Sequence, residues 1–409
     1  MKWRMFICAI CFLIGGCSLN IPLEDQFSDP DAITDVLSAR SLLASAYKAM
    51  PQQIFQLSVL SDDFCPSQHL NKDMSLQGLY NWREVEMTEL AGTLWAGYYA
   101  VIAEVNALLA RIDAVVTLDE TEKLEKMRIV CEAKALKSWC YFDLLRLFAP
   151  RYEGNENKDG IILKKRVELD FLPRSSVKEC VTEIRTLLNE ARNVDNTQKN
   201  VYWLSDKAVA YLQVELELYA GNYPAVLELT KDLETEYPES VLGADVYKYL
   251  WSSENSDARI FGKYQLEQIY MDIRFDTFEK GDYLVLSQNV DYEEEDIRKE
   301  WSEIPFVMPD AKNVRLLGKY NKMNRDKVAS KYVNVARAAG MWLMRVEALA
   351  RSGKEGDAVA LANRMLKQRG ATEWSTNIAG NELISKILIE RQKEYVNTAH
   401  PFFGHNFCD

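Results

Sequence analysis

Few residues in this chain are equipped for covalent or metal chemistry. Of 409 residues only three are histidine, His69, His400 and His405, too few for a histidine-built metal centre or a catalytic triad. His400 and His405 lie five apart around Pro401 and read as satisfied or exposed side chains. No G-x-S-x-G, HExxH or phosphate-loop string occurs. Carboxylates are abundant, yet none sits in a recognisable glycosidase setting, where the distance between two carboxyls sets the outcome. Glu293-Glu-Glu-Asp296 offers oxygens to Ca²⁺ but lacks the alternating, glycine-containing loop pattern, so it reads as a solvated charge run. Neither a metal nor an organic cofactor is expected. What remains is aromatic surface. Phe, Trp and Tyr make up 11% of the chain, and two loop-like stretches set such rings beside amides. Residues 68–83 hold Tyr80, Asn81 and Trp82; residues 283–301 hold Tyr283, Gln288, Asn289, Tyr292 and Trp301. In both stretches the competing reading is a ring packed beneath a loop. Trp95, Trp139 and Trp342 fall on helical stripes and read as core.

The N-terminus carries one further chemical signal. A short cationic start, Met1-Lys-Trp-Arg4, precedes an apolar run from Phe6 to Ile14, and Gly15-Gly16-Cys17 follows. The run is shorter than the ~20 apolar residues of a membrane-spanning helix and has the layout of an export signal. The small pair before Cys17 resembles a bacterial lipobox, which predicts cleavage after residue 16 and a lipid on the Cys17 thiol. An ordinary secretory signal or an N-terminal anchor helix is the alternative. No later segment reaches ~18 uninterrupted apolar residues. Loss of Lys2 and Arg4 with the signal takes the net charge from −12 to −14, the wrong sign for a phosphate backbone, so nucleic acid is not an expected partner. Of eight cysteines, Cys65, Cys131, Cys140, Cys180 and Cys408 remain besides Cys17. Cys131 and Cys140, nine apart on one predicted helix, are separated by about 13.5 Å of rise on opposite faces. Free buried thiols are expected, not a disulfide framework.

The elements that must position these residues are helices. Periodic apolar positions and end signals predict helices over 31–50, 88–116, 120–148, 177–192, 206–220, 224–236 and 381–395. Asp119 with Glu122, and Ser176 with Glu179, have capping-box spacing. The two helices of about 28 residues, joined by a short connection, should pack antiparallel. Gly221-Asn-Tyr-Pro-Ala-Val226 with Pro238 resembles a tetratricopeptide turn, and Trp342, Gly353 and Ala358 repeat its spacing. The two turn glycines are 132 residues apart, so the units stack only if the chain between them forms a separate lobe. Residues 252–320 carry short apolar runs and charge clusters, the texture of loops with a few short strands. The expected fold is mainly α: tetratricopeptide-like hairpins in one large domain over 17–409, with 252–320 as a loop-rich insertion.

Several stretches in fixed order resemble the SusD/RagB-type lipoproteins of Bacteroidetes. Cys17 is followed by Pro22-Leu-Glu-Asp-Gln-Phe-Ser-Asp29, Ala44-Ser-Ala-Tyr47 and Leu60-Ser-Asp-Asp63. Trp95-x-x-Tyr98-x-x-x-Ile102-x-x-x-Asn106 and the Glu132 to Arg146 helix come next. Arg345-Val-Glu-Ala348, Asn363-Arg364 and Glu390-Arg391-x-x-Glu394 complete the series. The resemblance implies a lipid-anchored protein of the outer membrane, exposed at the cell surface. Such a protein captures an oligosaccharide, or a peptide, for a SusC-like TonB-dependent transporter, and carries no catalysis. In that setting Tyr80, Asn81, Trp82, Tyr283 and Trp301 become ligand contacts, with rings stacking on sugar faces and amides bonding hydroxyls. After Glu394 the sequence departs from the family pattern, at Thr398, Ala399, Pro401 and Gly404. The alternatives are a helical-repeat scaffold lipoprotein that binds only protein partners, a truncated non-binding form, and a surface hydrolase.

Overall fold

The structure, a computed structural model, describes residues 33–396 apart from 52, 67–73, 169, 193–199, 253–254, 265–283, 289, 308–310 and 321–331. Cys17 with the predicted signal, Tyr283, Asn289 and all three histidines therefore lie outside the described residues. Helix α1 (Val36–Ala49) opens on a reciprocal cap. The Asp35 carboxylate accepts from the Ser38 amide at 2.7 Å, and the Ser38 hydroxyl accepts from the Asp35 amide. A short α2 (Ile54–Leu60), strand β1 (Phe64–Pro66) and α3 (Met74–Tyr80) lead into the two long helices, α4 (Glu84–Arg111) and α5 (Glu120–Phe148). Helix α4 begins about a turn before its predicted start. At α5, Asp119 caps the Glu122 amide, but the Glu122 carboxylate takes the Leu118 amide instead of closing the box.

The α4–α5 hairpin is antiparallel, as its cross-contacts show. Tyr98 donates to Asp143 at 2.9 Å, the Lys137 amine donates to Asn106 at 2.6 Å, and Trp95 meets Phe148 edge-on. Rising numbers on one helix thus meet falling numbers on the other. Helix α4 with its following turn is long and apolar enough to cross a membrane by length and composition, but here Leu90, Leu94, Tyr98, Ile102 and Val105 are turned into the core. On α5 the first half of the predicted stripe stays exposed at Leu124 and Met127, whereas Cys131 to Leu145 is buried.

Helices α6 (Val177–Ala191), α7 (Asp206–Tyr219) and α8 (Tyr223–Leu229) follow. Gly221 takes the left-handed φ of +68° at the α7–α8 turn, as Gly353 does (+73°) between α12 (Ala338–Arg351) and α13 (Glu355–Arg369). The expected helix 224–236 is broken after Leu229 and resumes as the single turn α9 (Leu233–Glu236). The Arg345 guanidinium takes the carbonyls that would continue it. The Thr230 hydroxyl bonds back to Val226 O, and Arg345 donates to Leu227 O and Thr230 O at 3.0 and 2.9 Å. The two tetratricopeptide-like units do pack together. Helix α12 lies on α7 and α8, and the Trp342 indole donates to Tyr237 O.

After the short α10 (Ala244–Tyr247) come β2 (Arg259–Tyr264), β3 (Leu284–Leu286), α11 (Ile297–Ser302), β4 (Glu303–Val307), β5 (Asn313–Leu317) and β6 (Tyr332–Arg337). Strands β1, β3, β5 and β4 pair antiparallel in that order, with Cys65, Val285, Leu316 and Ile304 in one row; β2 and β6 form a separate ribbon. The predicted insertion thus contains its short strands, but it recruits β1 and β6 from outside its bounds. The last described helix, α14 (Gly380–Tyr395), packs on α12. One apolar core extends from Ile33 to Val396. Cys65, Cys131, Cys140 and Cys180 are free thiols.

Candidate functional site

The 68–83 stretch is not all loop. Leu76 and Leu79, three apart, are both buried and fix α3 against its neighbours. The helix ends in a left-handed turn. Trp82 N–H bonds to Leu79 O at 3.0 Å and Arg83 N–H to Gly78 O at 2.9 Å, the paired bonds of a Schellman motif. In that motif the residue at Trp82 needs positive φ, and Trp82 has φ of +53°. Glycine usually holds this position because a Cβ there meets the backbone. A tryptophan here is strained, and its indole is 60% exposed. Tyr80, two residues earlier and 37% exposed, receives the Cys65 thiol at 3.1 Å. That contact pushes the Tyr80 phenol up from its ordinary value. The exposed Asn81 amide bonds back to Gln77 O. Tyr80, Asn81 and Trp82 therefore sit together at the α3–α4 junction, two rings and an amide facing water.

Trp301 is not part of that group. It lies in the last turn of α11, half-buried against the core, at the β4 edge of the sheet. Tyr80 is at the β1 edge, three strand spacings or about 14 Å across. Tyr292 is fully packed and donates to Lys393 O. The Glu293–Asp296 run also differs from its expected form. Glu294 is exposed and pairs with Lys299, but Glu293 accepts from Thr372, and Asp296 is buried against Arg298 at 2.6 Å. Among the described residues no cluster of three or more His, Cys, Asp or Glu could hold a metal.

A second group of surface rings did not stand out in the sequence. Tyr202 and Trp203 lie 5.4 Å apart, Tyr202 and Tyr264 5.7 Å, and Tyr264 and Tyr332 5.7 Å between centroids. Tyr264 and Tyr332 are direct partners across β2 and β6, and Gly262 N–H to Val201 O ties the 202–203 segment beside β2. The only sequence signal is the dipeptide Tyr202-Trp203 following a polar run. The other rings come from positions 62 and 130 residues later.

The helical order, the hairpin units and the short sheets match known proteins. Residues 23–214 match the SusD-like family described as "Starch-binding associating with outer membrane". Over those residues the chain is similar to the SusD-like family. Among solved structures, a putative sugar-binding protein from Bacteroides vulgatus is 21% identical with a TM-score of 0.73; the match covers 91% of this chain and 86% of that one. A SusD superfamily protein from Bacteroides thetaiotaomicron is 17% identical with a TM-score of 0.74, covering 91% and 88%. A SusD-like carbohydrate-binding protein from Bacteroides vulgatus is 17% identical with a TM-score of 0.68, covering 89% and 81%. No curated protein sequence matches the chain. The SusD-like match includes Tyr80, Asn81, Trp82, Tyr202 and Trp203, and ends before β2.

The stretches that carry the SusD resemblance turn out to be scaffold. Asp143 is shared by Tyr98 and Arg146, and Arg146 also meets Glu215 at 2.9 Å. Asn106 receives Lys137 and donates to Lys164 O. Arg391 pairs with Glu347, and Glu390 with Arg298. All of these hold helix to helix or helix to loop.

Proposed function

We propose that this chain is a lipid-anchored, surface-exposed protein of the outer membrane that captures an oligosaccharide and delivers it to a SusC-like TonB-dependent transporter. The observation that carries the reading is Trp82. An indole held at positive φ and left in water costs stability twice, through backbone strain and through exposed apolar surface, and residues kept at such a cost cluster where ligands bind. A sugar ring offers an apolar face to stack there, while Tyr80 and Asn81 supply a phenol and an amide for its hydroxyls. In this reading residues 1–16 are removed, Cys17 carries the lipid, and 17–409 act as one mature domain. Binding occurs without turnover. Tyr283 and Trp301 complete the proposed contact set, and a peptide is the second ligand class.

Binding of the mature protein to an oligosaccharide array, repeated with Trp82→Ala, tests the site. Loss of binding in the variant supports it, and unchanged binding removes Tyr80–Trp82. Tyr283→Ala and Trp301→Ala test the remaining contacts in the same assay. A β-barrel protein should co-purify with the tagged chain from outer membranes, and Cys17→Ala should abolish incorporation of labelled palmitate. A protein that binds no glycan or peptide but retains protein partners would instead be the scaffold form.

A further inference from the structure

The four-ring group formed by Tyr202, Trp203, Tyr264 and Tyr332 is unusual for its placement. Among the described residues, none of the four belongs to the apolar core or to the half-buried side chains packed on it. They pack on one another, touching the rim of the core only through the edge-on contact of Trp203 with Tyr47, and Tyr264 is 43% exposed. Rings that stabilised the fold would be expected to press on the core, because burial is what makes an aromatic stabilising. These rings instead form a track whose successive planes turn by 58°, 53° and 64°.

The track is anchored at both ends. At one end the Trp203 ring lies under Arg40, 5.1 Å from the guanidinium, and edge-on to Tyr47. Arg40 is fixed by Glu125 and by both oxygens of Glu132, while Tyr47 accepts the Leu204 amide at 3.0 Å. At the other end the Tyr332 ring lies 4.7 Å from the Arg259 guanidinium. Arg259 is buried and donates to Asn334 and to the carbonyls of Tyr249, Leu250 and Ser252. Gly262 makes the room. A Cβ there would stand 3.1 Å from Tyr332 Cβ and 3.2 Å from Arg259 Cδ. The rings are therefore held before any ligand arrives, which lowers the ordering cost of binding.

We propose that these four rings form a second carbohydrate-contacting surface, built on different elements from Trp82, and that it takes a neutral oligosaccharide. The proposal rests on the glycan-capture reading above. Neutrality follows from the cations. Among the described residues, Arg40 and Arg259 border the track, and both are already committed to carboxylates and carbonyls. Among the described residues the surface offers ring faces, and neither of these guanidiniums is aimed at a uronate or sulfate.

The test uses the mature chain on an array holding neutral, uronate-containing and sulfated oligosaccharides, followed by titration calorimetry with the strongest binder. A neutral glycan is expected to bind and to perturb Trp203 emission. The Tyr202→Ala/Tyr264→Ala double variant should weaken it by about tenfold or more, Tyr264→Phe should retain it, and unchanged melting temperatures would exclude misfolding. Binding by the double variant as tight as wild type would overturn the track and leave glycan capture standing. Binding confined to anionic glycans would overturn the neutral class. No binding of any glycan by the wild-type chain would overturn glycan capture and the track with it.

Discussion

Trp82 places a bulky side chain where the backbone turn favours none. Its strain makes a prediction that separates stability from binding. Relative to Trp82→Ala, Trp82→Gly should raise stability by about 1 kcal/mol, since a left-handed conformation costs an L residue ~1–2 kcal/mol and glycine almost nothing. Both variants should lose the proposed glycan contact; chemical denaturation and calorimetry read the two effects independently. Lys263 gives a second residue-scale prediction. Its buried amine donates to Met50 O and, at 2.7 Å, to Pro51 O. Burial lowers its pKa to about 7, against the opposing influence of Cys140 and Asp143. Between pH 7 and its ordinary value of 10.5 the unfolded chain holds a proton that the native chain lacks, so this group makes stability rise with pH across that window. Lys263→Met should flatten the rise in urea-midpoint measurements taken from pH 7 to 10. Neither prediction could be drawn from residue type. Trp82 was legible as a ring in a polar stretch, but its φ is set by the end of a two-turn helix that the sequence pattern leaves ambiguous.

Long helices were the legible elements, because fourteen or more residues give periodicity and caps enough repeats to register. Helices α1, α5, α6, α7 and α14 lie within a few residues of their expected bounds, allowing that 31–32 lie outside the described residues. Short elements escaped, since two turns of helix or three residues of strand carry almost no periodic signal. The break between α8 and α9 was invisible for a different reason. It is made by Arg345, more than a hundred residues downstream, whose guanidinium binds the carbonyls of Leu227 and Thr230. Arg345→Ala should leave those part-buried carbonyls without their charged donor and cost about 1–3 kcal/mol. Hydrogen exchange should show the loss concentrated in residues 223–236, and exchange unchanged there would refute the assignment. The aromatic track was illegible on the same ground. Its rings meet only because β2 and β6 pair and Val201 is tied to β2.

The whole molecule closes around a buried ionic centre that joins the middle of the chain to its last described helix. Arg298, Arg337 and Arg369 face Asp296, Glu390 and Glu394, all six buried. Glu394 is shared: 3.1 Å from Arg369, 3.6 Å from Arg337 and 3.7 Å from Arg298. Burial alone would raise its carboxyl, yet Arg369, Arg337 and Arg298 together hold it at about 2. Lys319 donates to the carbonyls of Glu394 and Val396, and burial, with Arg337 beside it, pushes its amine well down. Removing one member of such a centre leaves uncompensated charge, so Glu394→Gln should cost about 3–5 kcal/mol. The sign with pH follows from the lowered carboxyl. Its contribution is complete above the ordinary value of 4.5 and is lost as pH falls towards 2, so the gap between wild type and variant should narrow across that range in denaturation curves. The sequence displayed this centre only as Glu390-Arg391-x-x-Glu394, a string whose meaning depends on partners up to 96 residues away. Its position also orders events in time. A ribosome that has made residues 1–393 has produced Arg337 and Arg369 without the carboxylate they share. Arg337 and Arg369 therefore stay without their shared carboxylate, and the C-terminal half of the fold cannot lock, until α14 has been made.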